Sequence, residues 1–255
     1  MKRFLALLSL AALATAVSAV AAGAGTTVTS FKYCDDPTFP PMESTTSSGK
    51  PVGFDIDMAS AMAKSFGGKA TFVHTAFPGL LPGLGAKKCD VVISGIFITP
   101  DRTKQFPAVD YMHSHRALLV QGGNPKHIKS VADLKGKHVA VQAGTKYEQY
   151  LKAQQKKLGF TLQSYPGDTD AVAQLLIGRA DAVLTQDTEG AYQEQKHPGK
   201  ITIAYIFPAY DAFGIYYRKG DPIGGQFKSA IAQLKKSGTL LKLAKRYRIP
   251  LGDVK

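Results

Sequence analysis

Beyond its first twenty residues this chain has no apolar run long enough to cross a bilayer, which excludes a helical membrane protein. It also lacks the signatures of several enzyme classes. Gly144-Thr145-Lys146 does not complete the Gly-x4-Gly-Lys-Ser/Thr order of a phosphate loop. Ser94-Gly95 has no nucleophile-elbow glycine before it and no histidine in register. His113 and His115 have no third ligand nearby in sequence, so neither a metal nor a cofactor is expected. Acidic residues are scarce, 19 against 32 Lys and Arg, giving a formal charge of +13 that raises nucleic acid or anionic lipid as partners. The basic residues are scattered, however. Even the group Lys235, Lys236, Lys242, Lys245, Arg246 and Arg248 reads as solvated helix faces, and no nucleic-acid partner is expected.

Cysteine is scarce as well. Met1-Lys2-Arg3, the apolar run Phe4 to Val20 and the small residues up to Gly25 read as a secretory signal peptide over 1–24, with cleavage after Ala19, Ala22 or Ala24 equally suited. No Cys stands at that junction to carry a lipid anchor, which leaves a soluble periplasmic protein. Cys34 and Cys89 are the only cysteines, and the compartment invites a disulfide. If the two strands they border are parallel neighbours, an extended rise of ~3.3 Å per residue puts them beyond the ~7 Å Cα limit. Two free buried thiols are therefore expected.

What is present reads as alternating strands and helices of a parallel α/β protein. The stretch around Asp90 to Arg102 is its centre. Asp90 to Ile93 is a short β-branched run, the chain turns at Ser94-Gly95, and Thr99-Pro100-Asp101 offers an N-cap, a proline suited to the first helical position and an acid for the helix dipole. A strand thus feeds a helix N-terminus, and Arg102 in its first turn adds the fork that grips a carboxylate. Further elements follow the same logic. Asp55 to Phe66 carries a stripe of Ile56, Met58, Ala59, Met62, Ala63 and Phe66; Thr145 and Glu148 form a capping box ahead of a helix over Lys146 to Leu158. The Pro-rich segment Asp35 to Glu43 reads as a shaped surface loop, and Phe207 to Ala212 as a loop between two strands. Leu84-x-x-Lys87-Lys88-Cys89-Asp90-Val91 is echoed by Leu176-x-x-Arg179-Ala180-Asp181-Ala182-Val183, so two halves of similar build are implied, each near 100 residues. Ligands of such sheets sit beyond the carboxyl ends of the strands, where Ser94, Gly144 and Asp187 fall.

Four motifs in order carry a family likeness: Val52-Gly53-Phe54-Asp55-Ile56-Asp57, Leu81-Pro82-Gly83-Leu84, Asp90 to Gly95 and Ile98 to Arg102. From about Phe31 to Tyr247 the chain resembles the family 3 extracellular solute-binding proteins, the receptors of polar amino-acid ABC importers. The resemblance implies a type II periplasmic-binding-protein fold: lobe 1 from 25–115 and 209–255, lobe 2 from 116–208, each a mainly parallel sheet flanked by helices, with hinge crossovers near 113–117 and 205–212. By the same resemblance Arg102, with Ser94, Gly95 and Phe97, would hold a ligand carboxylate, joined by Gln142, Thr145 and Lys146 from the second lobe. Asp187 would hold the α-ammonium, and Asp36, Phe39 and Phe77 would line the side-chain pocket. Phe97 and Lys146 depart from the small or hydroxylated residues usual at their places. The function implied is a monomeric periplasmic receptor, not an enzyme, that binds one polar and preferably cationic L-amino acid and delivers it to a membrane permease. Its rivals are a binding protein for glutamine or an acidic amino acid, a cyclohexadienyl dehydratase-like enzyme, and a signalling or adhesion module.

Overall fold

The structure is a computed structural model that describes residues 28–254, so the expected signal peptide lies outside the described residues. The chain runs through β1 (Phe31–Asp35), a small antiparallel sheet of β2 (Thr38–Phe39), β3 (Glu43–Thr45) and β4 (Pro51–Val52), then α1 (Phe54–Ser65), β5 (Ala70–His74), α2 (Leu80–Gly85), β6 (Val91–Val92) and α3 (Pro100–Thr103). After the long β7 (Ala108–Gln121) come β8 (His138–Gln142), α4 (Lys146–Leu158), β9 (Thr161–Tyr165), α5 (Asp168–Leu176), β10 (Ala182–Gln186) and α6 (Asp187–Lys196). A second long strand, β11 (Ile201–Tyr217), leads to α7 (Ile223–Lys236) and α8 (Thr239–Tyr247), and the 3-10 turn Leu251–Val254 follows.

The main sheet has the order β5-β1-β6-β11-β7-β10-β8-β9. β5, β1 and β6 pair in parallel at one end, and β10, β8 and β9 at the other. Between them β11 and β7 pair antiparallel along most of their lengths. A strand of 14 residues reaches ~46 Å at ~3.3 Å per residue, well beyond a typical strand, so this one pair serves two lobes. The two-lobed α/β architecture expected from the resemblance is the one observed.

β11 corrects one expectation. The segment expected as a loop, Phe207 to Ala212, belongs to a continuous strand, interrupted by register shifts between Ile206 and Tyr210 and at two other points. Ile206 faces Ala117 and Tyr210 faces His115, so three residues of β11 bulge opposite Arg116. Pro208, which has no N–H for a ladder, sits in that bulge.

The Pro-rich segment corrects another, because it is not a surface feature. Phe39, Met42 and Glu43 are buried. Gly53 permits this: at φ 146° any Cβ would lie 2.1 Å from the Met42 carbonyl oxygen, so only glycine lets α1 begin against the loop. The stripe of α1 packs as expected, with Ile56, Met58, Ala59, Met62 and Ala63 all buried.

The cysteines correct a third. Cys34 and Cys89 are bonded, with Cα atoms 5.6 Å apart. The extended rise assumed along the strand does not hold just before β6. Lys87 takes φ 59° and the chain turns into β6, with Asp90 N donating to Lys32 O at 2.8 Å. Cys89 is thereby folded back beside Cys34, and the bridge is buried with Leu80, Leu84, Val92 and Tyr216. Closing a loop of 55 residues, it is expected to contribute about 2–4 kcal/mol. The native protein should release no thiol to a thiol reagent in denaturant, and Cys34→Ser/Cys89→Ser should lower the urea midpoint accordingly; a free thiol count of two would contradict the bridge.

Candidate functional site

Between the lobes lies a cavity at the carboxyl ends of four parallel strands, where open sheets place ligands. β1 delivers Asp36, β6 Ser94 and Gly95, β8 Gln142, and β10 Gln186. Phe39, Phe77 and Tyr147 complete the lining. Asp36 is its one carboxylate.

Asp36 joins the two lobes. Its Oδ2 accepts from Phe77 N at 2.9 Å and from Gln142 Nε2 at 2.9 Å, while its own N–H donates to Ser94 Oγ at 2.9 Å. Burial pushes its carboxyl above the usual range, and the hydrogen bonds it accepts oppose that shift. Phe39 packs over Gly95, where the absent side chain is required: at φ 48° a Cβ would lie 2.9 Å from the Phe39 ring.

Arg102 sits beside the cavity. Thr99 caps its helix as expected, and the guanidinium donates from Nη1 to Phe97 O at 2.8 Å and from Nη2 to Gly144 O at 3.3 Å, with its carbon 5.6 Å from the centre of the Phe77 ring. Burial presses its pKa down, against the favourable influence of Tyr216 and Tyr147. Because Arg102 and Gly144 belong to opposite lobes, the cleft is closed.

Other expected residues are placed differently. The Phe97 side chain is buried, stacked on Phe213 at 5.1 Å and edge-on to Tyr147 at 5.6 Å. Thr145 has its hydroxyl occupied by the cap: it accepts from Glu148 N at 3.1 Å and donates to Gln142 O at 2.8 Å. Glu148 returns its bond to Gly144 N rather than to Thr145 N, a variant of the expected capping box. Lys146 turns to the crossover strand and pairs with Asp211, which also faces Arg116 Nε at 3.4 Å.

Asp187 is not brought to the cavity. Its Oδ1 accepts from Ser114 Oγ at 2.7 Å, Thr188 N at 2.9 Å and His115 N at 3.1 Å, all on the hinge side. Its neighbour Gln186 faces the cavity instead, and the cause is the strand's alternation, which sends successive residues at the end of β10 to opposite sides. Gln186 Nε2 donates to the Tyr147 hydroxyl and, at 3.5 Å, to Gly95 O. Sequence reasoning missed both Gln186 and Tyr147. Counting alternate residues along Ala182 to Gln186 was the signal for the first; Tyr147 had none, because the N-terminal turn of a helix can aim a side chain either way.

Buried acids hold the floor of the site from behind. Ser94 Oγ donates to Glu43 Oε1 at 3.0 Å, Gly95 N to Asp55 Oδ2 at 2.8 Å and Tyr111 Oη to the same oxygen at 2.8 Å. Burial raises Asp55 to about 6 and lifts Glu43 and Asp35 well above the ordinary range, aided by their mutual repulsion. In the second lobe Asp168 accepts from Thr185 Oγ1 at 2.9 Å; burial, then the nearby Asp36 charge, raise it to about 7. A carboxyl with a raised folded pKa binds its proton better in the folded state, so its contribution is full below the unfolded value of 3.8 and is lost as pH rises through the folded one. Stability measured by urea unfolding should therefore lose ground between about pH 4 and pH 7, and Asp168→Asn should flatten part of that slope. An identical slope in the variant would remove Asp168 as a source of it.

A profile of the bacterial extracellular solute-binding proteins, family 3, matches residues 31–249. The histidine-binding periplasmic protein of Salmonella typhimurium is 32% identical over 220 residues, covering 83% of this chain and 85% of that protein. The lysine/arginine/ornithine-binding periplasmic protein of Escherichia coli is 31% identical, covering 96% of each. Among solved structures, an ancestral arginine-binding protein bound to arginine superposes with a TM-score of 0.81 at 35% identity, covering 87% of this chain and 99% of that one.

Proposed function

The chain belongs to the bacterial extracellular solute-binding proteins, family 3, and from that membership and the lining of the cavity we propose a monomeric periplasmic receptor that takes one L-amino acid with a cationic side chain and delivers it to the permease of an ABC importer. The observation that carries the reading is Asp36: the one carboxylate facing the cavity, flanked by the rings of Phe39 and Phe77. A guanidinium or an alkyl stem fits between such rings, and a carboxylate beyond them completes the recognition of a cation. Lys146 no longer argues against a cationic ligand, because its charge is taken up by Asp211.

In this reading Arg102 receives the ligand carboxylate. Only two of its five donors are bonded to main-chain carbonyls here, leaving a fork for a bidentate contact. Gln186 stands at the cavity in place of the acid expected from Asp187, and a flip of its amide would turn the oxygen, which faces Ser114 Oγ at 3.4 Å, to the α-ammonium. The lobes divide at 115–116 and 208–209, and closure occurs by bending of β7 and β11 there. The named relatives, which bind histidine or lysine, arginine and ornithine, support a cationic ligand.

The test is a calorimetric panel of L-amino acids. Arginine, lysine, ornithine or histidine should bind with a dissociation constant between μM and nM, about −8 to −12 kcal/mol. Arg102→Ala should cost about 3–5 kcal/mol by stranding the carboxylate, and Asp36→Asn should weaken a cationic ligand more than it weakens glutamine. Near-native affinity in Arg102→Ala would remove that residue from the site. Strongest binding by glutamate or aspartate would overturn the cationic assignment and make Lys146 the side-chain contact.

A further inference from the structure

His113 and His115 had no third ligand nearby in sequence, yet the fold brings two carboxylates to His115. A ring nitrogen of His115 on β7, a carboxylate oxygen of Asp187 at the start of α6 and one of Asp253 in the turn Leu251–Val254 all lie within 4.8 Å of one another. We propose that these three residues form a binding site for a divalent transition metal, zinc by its chemistry, on the hinge side of the cleft and separate from the amino-acid cavity.

Three observations beyond proximity point to a cation. Asp253 is 8% exposed, and its Oδ2 is buried with no hydrogen-bond partner among the described residues. Asp187, also 8% exposed, has its Oδ1 saturated by three donors, and no donor among the described residues reaches Oδ2. Two buried carboxylates facing each other repel unless a positive centre joins them. The nearby cation Arg116 is committed elsewhere: its Nε faces Asp211, and its guanidinium carbon lies 4.9 Å from the Phe207 ring centre and 5.3 Å from that of Tyr150.

The third observation is the orientation of the imidazole. His115 Nδ1 lies 2.9 Å from Phe207 O. A carbonyl can only accept, so Nδ1 carries the proton and Nε2 keeps its lone pair. A ligating histidine commonly has its other N–H held by a backbone carbonyl in this way.

The donor set selects the ion. One imidazole nitrogen and two carboxylate oxygens favour zinc over magnesium or calcium, which prefer oxygen alone, and three protein ligands leave a fourth position for water. Two carboxylates also neutralise the 2+ charge. Bonds of about 2.0–2.2 Å in a tetrahedron hold ligand atoms roughly 3.3–3.5 Å apart, so binding would draw these three together by about 1 Å. The ion would tie the turn Leu251–Val254 to the crossover strand and to α6, next to the bulge in β11 where the lobes meet.

Zinc titration of the metal-stripped protein by calorimetry, without any amino acid, tests this. One equivalent should bind, magnesium at a hundredfold excess should not compete, and the melting temperature should rise to saturation with zinc. Asp253→Asn and His115→Gln, each checked for native circular dichroism, should weaken zinc at least tenfold. Cobalt bound to the unaltered protein should give visible absorption bands, a readout that does not depend on any variant folding. Absence of zinc and cobalt binding in the unaltered protein, or wild-type affinity in either variant, would overturn the site.

Discussion

The antiparallel pairing of β7 with β11 is the constraint on which the rest of this molecule depends. Every other strand pairing lies on one side of it. β5, β1 and β6 attach to the outer edge of β11 near its C-terminal end, and β10, β8 and β9 attach to β7 near its C-terminal end. Because the two strands run in opposite directions, those attachments fall at opposite ends of the pair, and two lobes result from one continuous sheet. The parallel strands of both lobes then point their carboxyl ends toward the same gap. A cavity lined by Asp36, Ser94, Gln142 and Gln186 is the geometric outcome. The register shifts around Ile206 to Tyr210 sit midway along the pair, where the ladder is weakest. A bend there would move the lobes as bodies while leaving each core intact.

Polar contacts cross the cleft beside the edge-on packing of Phe97 on Tyr147 and the Lys146–Asp211 pair. Gln142 Nε2 reaches Asp36, Arg102 reaches Gly144 O at 3.3 Å, and Thr38 Oγ1 accepts from Asp168 N at 3.2 Å. Each is worth on the order of 1 kcal/mol net, since water offers replacements on opening. A ligand that meets Arg102 and Asp36 with its charges and Gln186 with its ammonium touches both lobes at once. The buried acids behind Ser94 and Gly95 act differently. They fix the floor of the site rigidly at an electrostatic cost, which the raised pKa values of Asp55 and its neighbours record.

Much of this was legible from residues alone, for reasons that can be stated. α1 and α4 fell where apolar period and cap placed them, because the stripe from Ile56 to Phe66 and the Thr145 cap ahead of Lys146 to Leu158 are local signals. The junction at Thr99, Pro100 and Arg102 was equally local. The failures were all non-local. The disulfide was lost because a turn at Lys87 does not announce itself in a Lys-Lys-Cys sequence. Phe207 to Ala212 read as a loop because Pro208 breaks a ladder, whereas pairing on either side carried β11 through. Asp187 was assigned to the ligand ammonium by the resemblance, and one step of strand alternation turns it to Ser114 while Gln186 lines the cavity. The approach of His115, Asp187 and Asp253, spread over 138 residues of sequence, was invisible until the chain was folded.

The claim that two lobes on a two-strand hinge close around a charged amino acid is tested most directly by small-angle X-ray scattering of the protein with and without the amino acid that stabilises it most. The expected result is a smaller radius of gyration on saturation, with unchanged far-ultraviolet circular dichroism, because the lobes approach while their sheets and helices stay as they are. The ligand-free protein should therefore be more open than the structure described here. Scattering curves that superpose with and without a ligand shown by calorimetry to be bound would contradict hinge closure as the binding event.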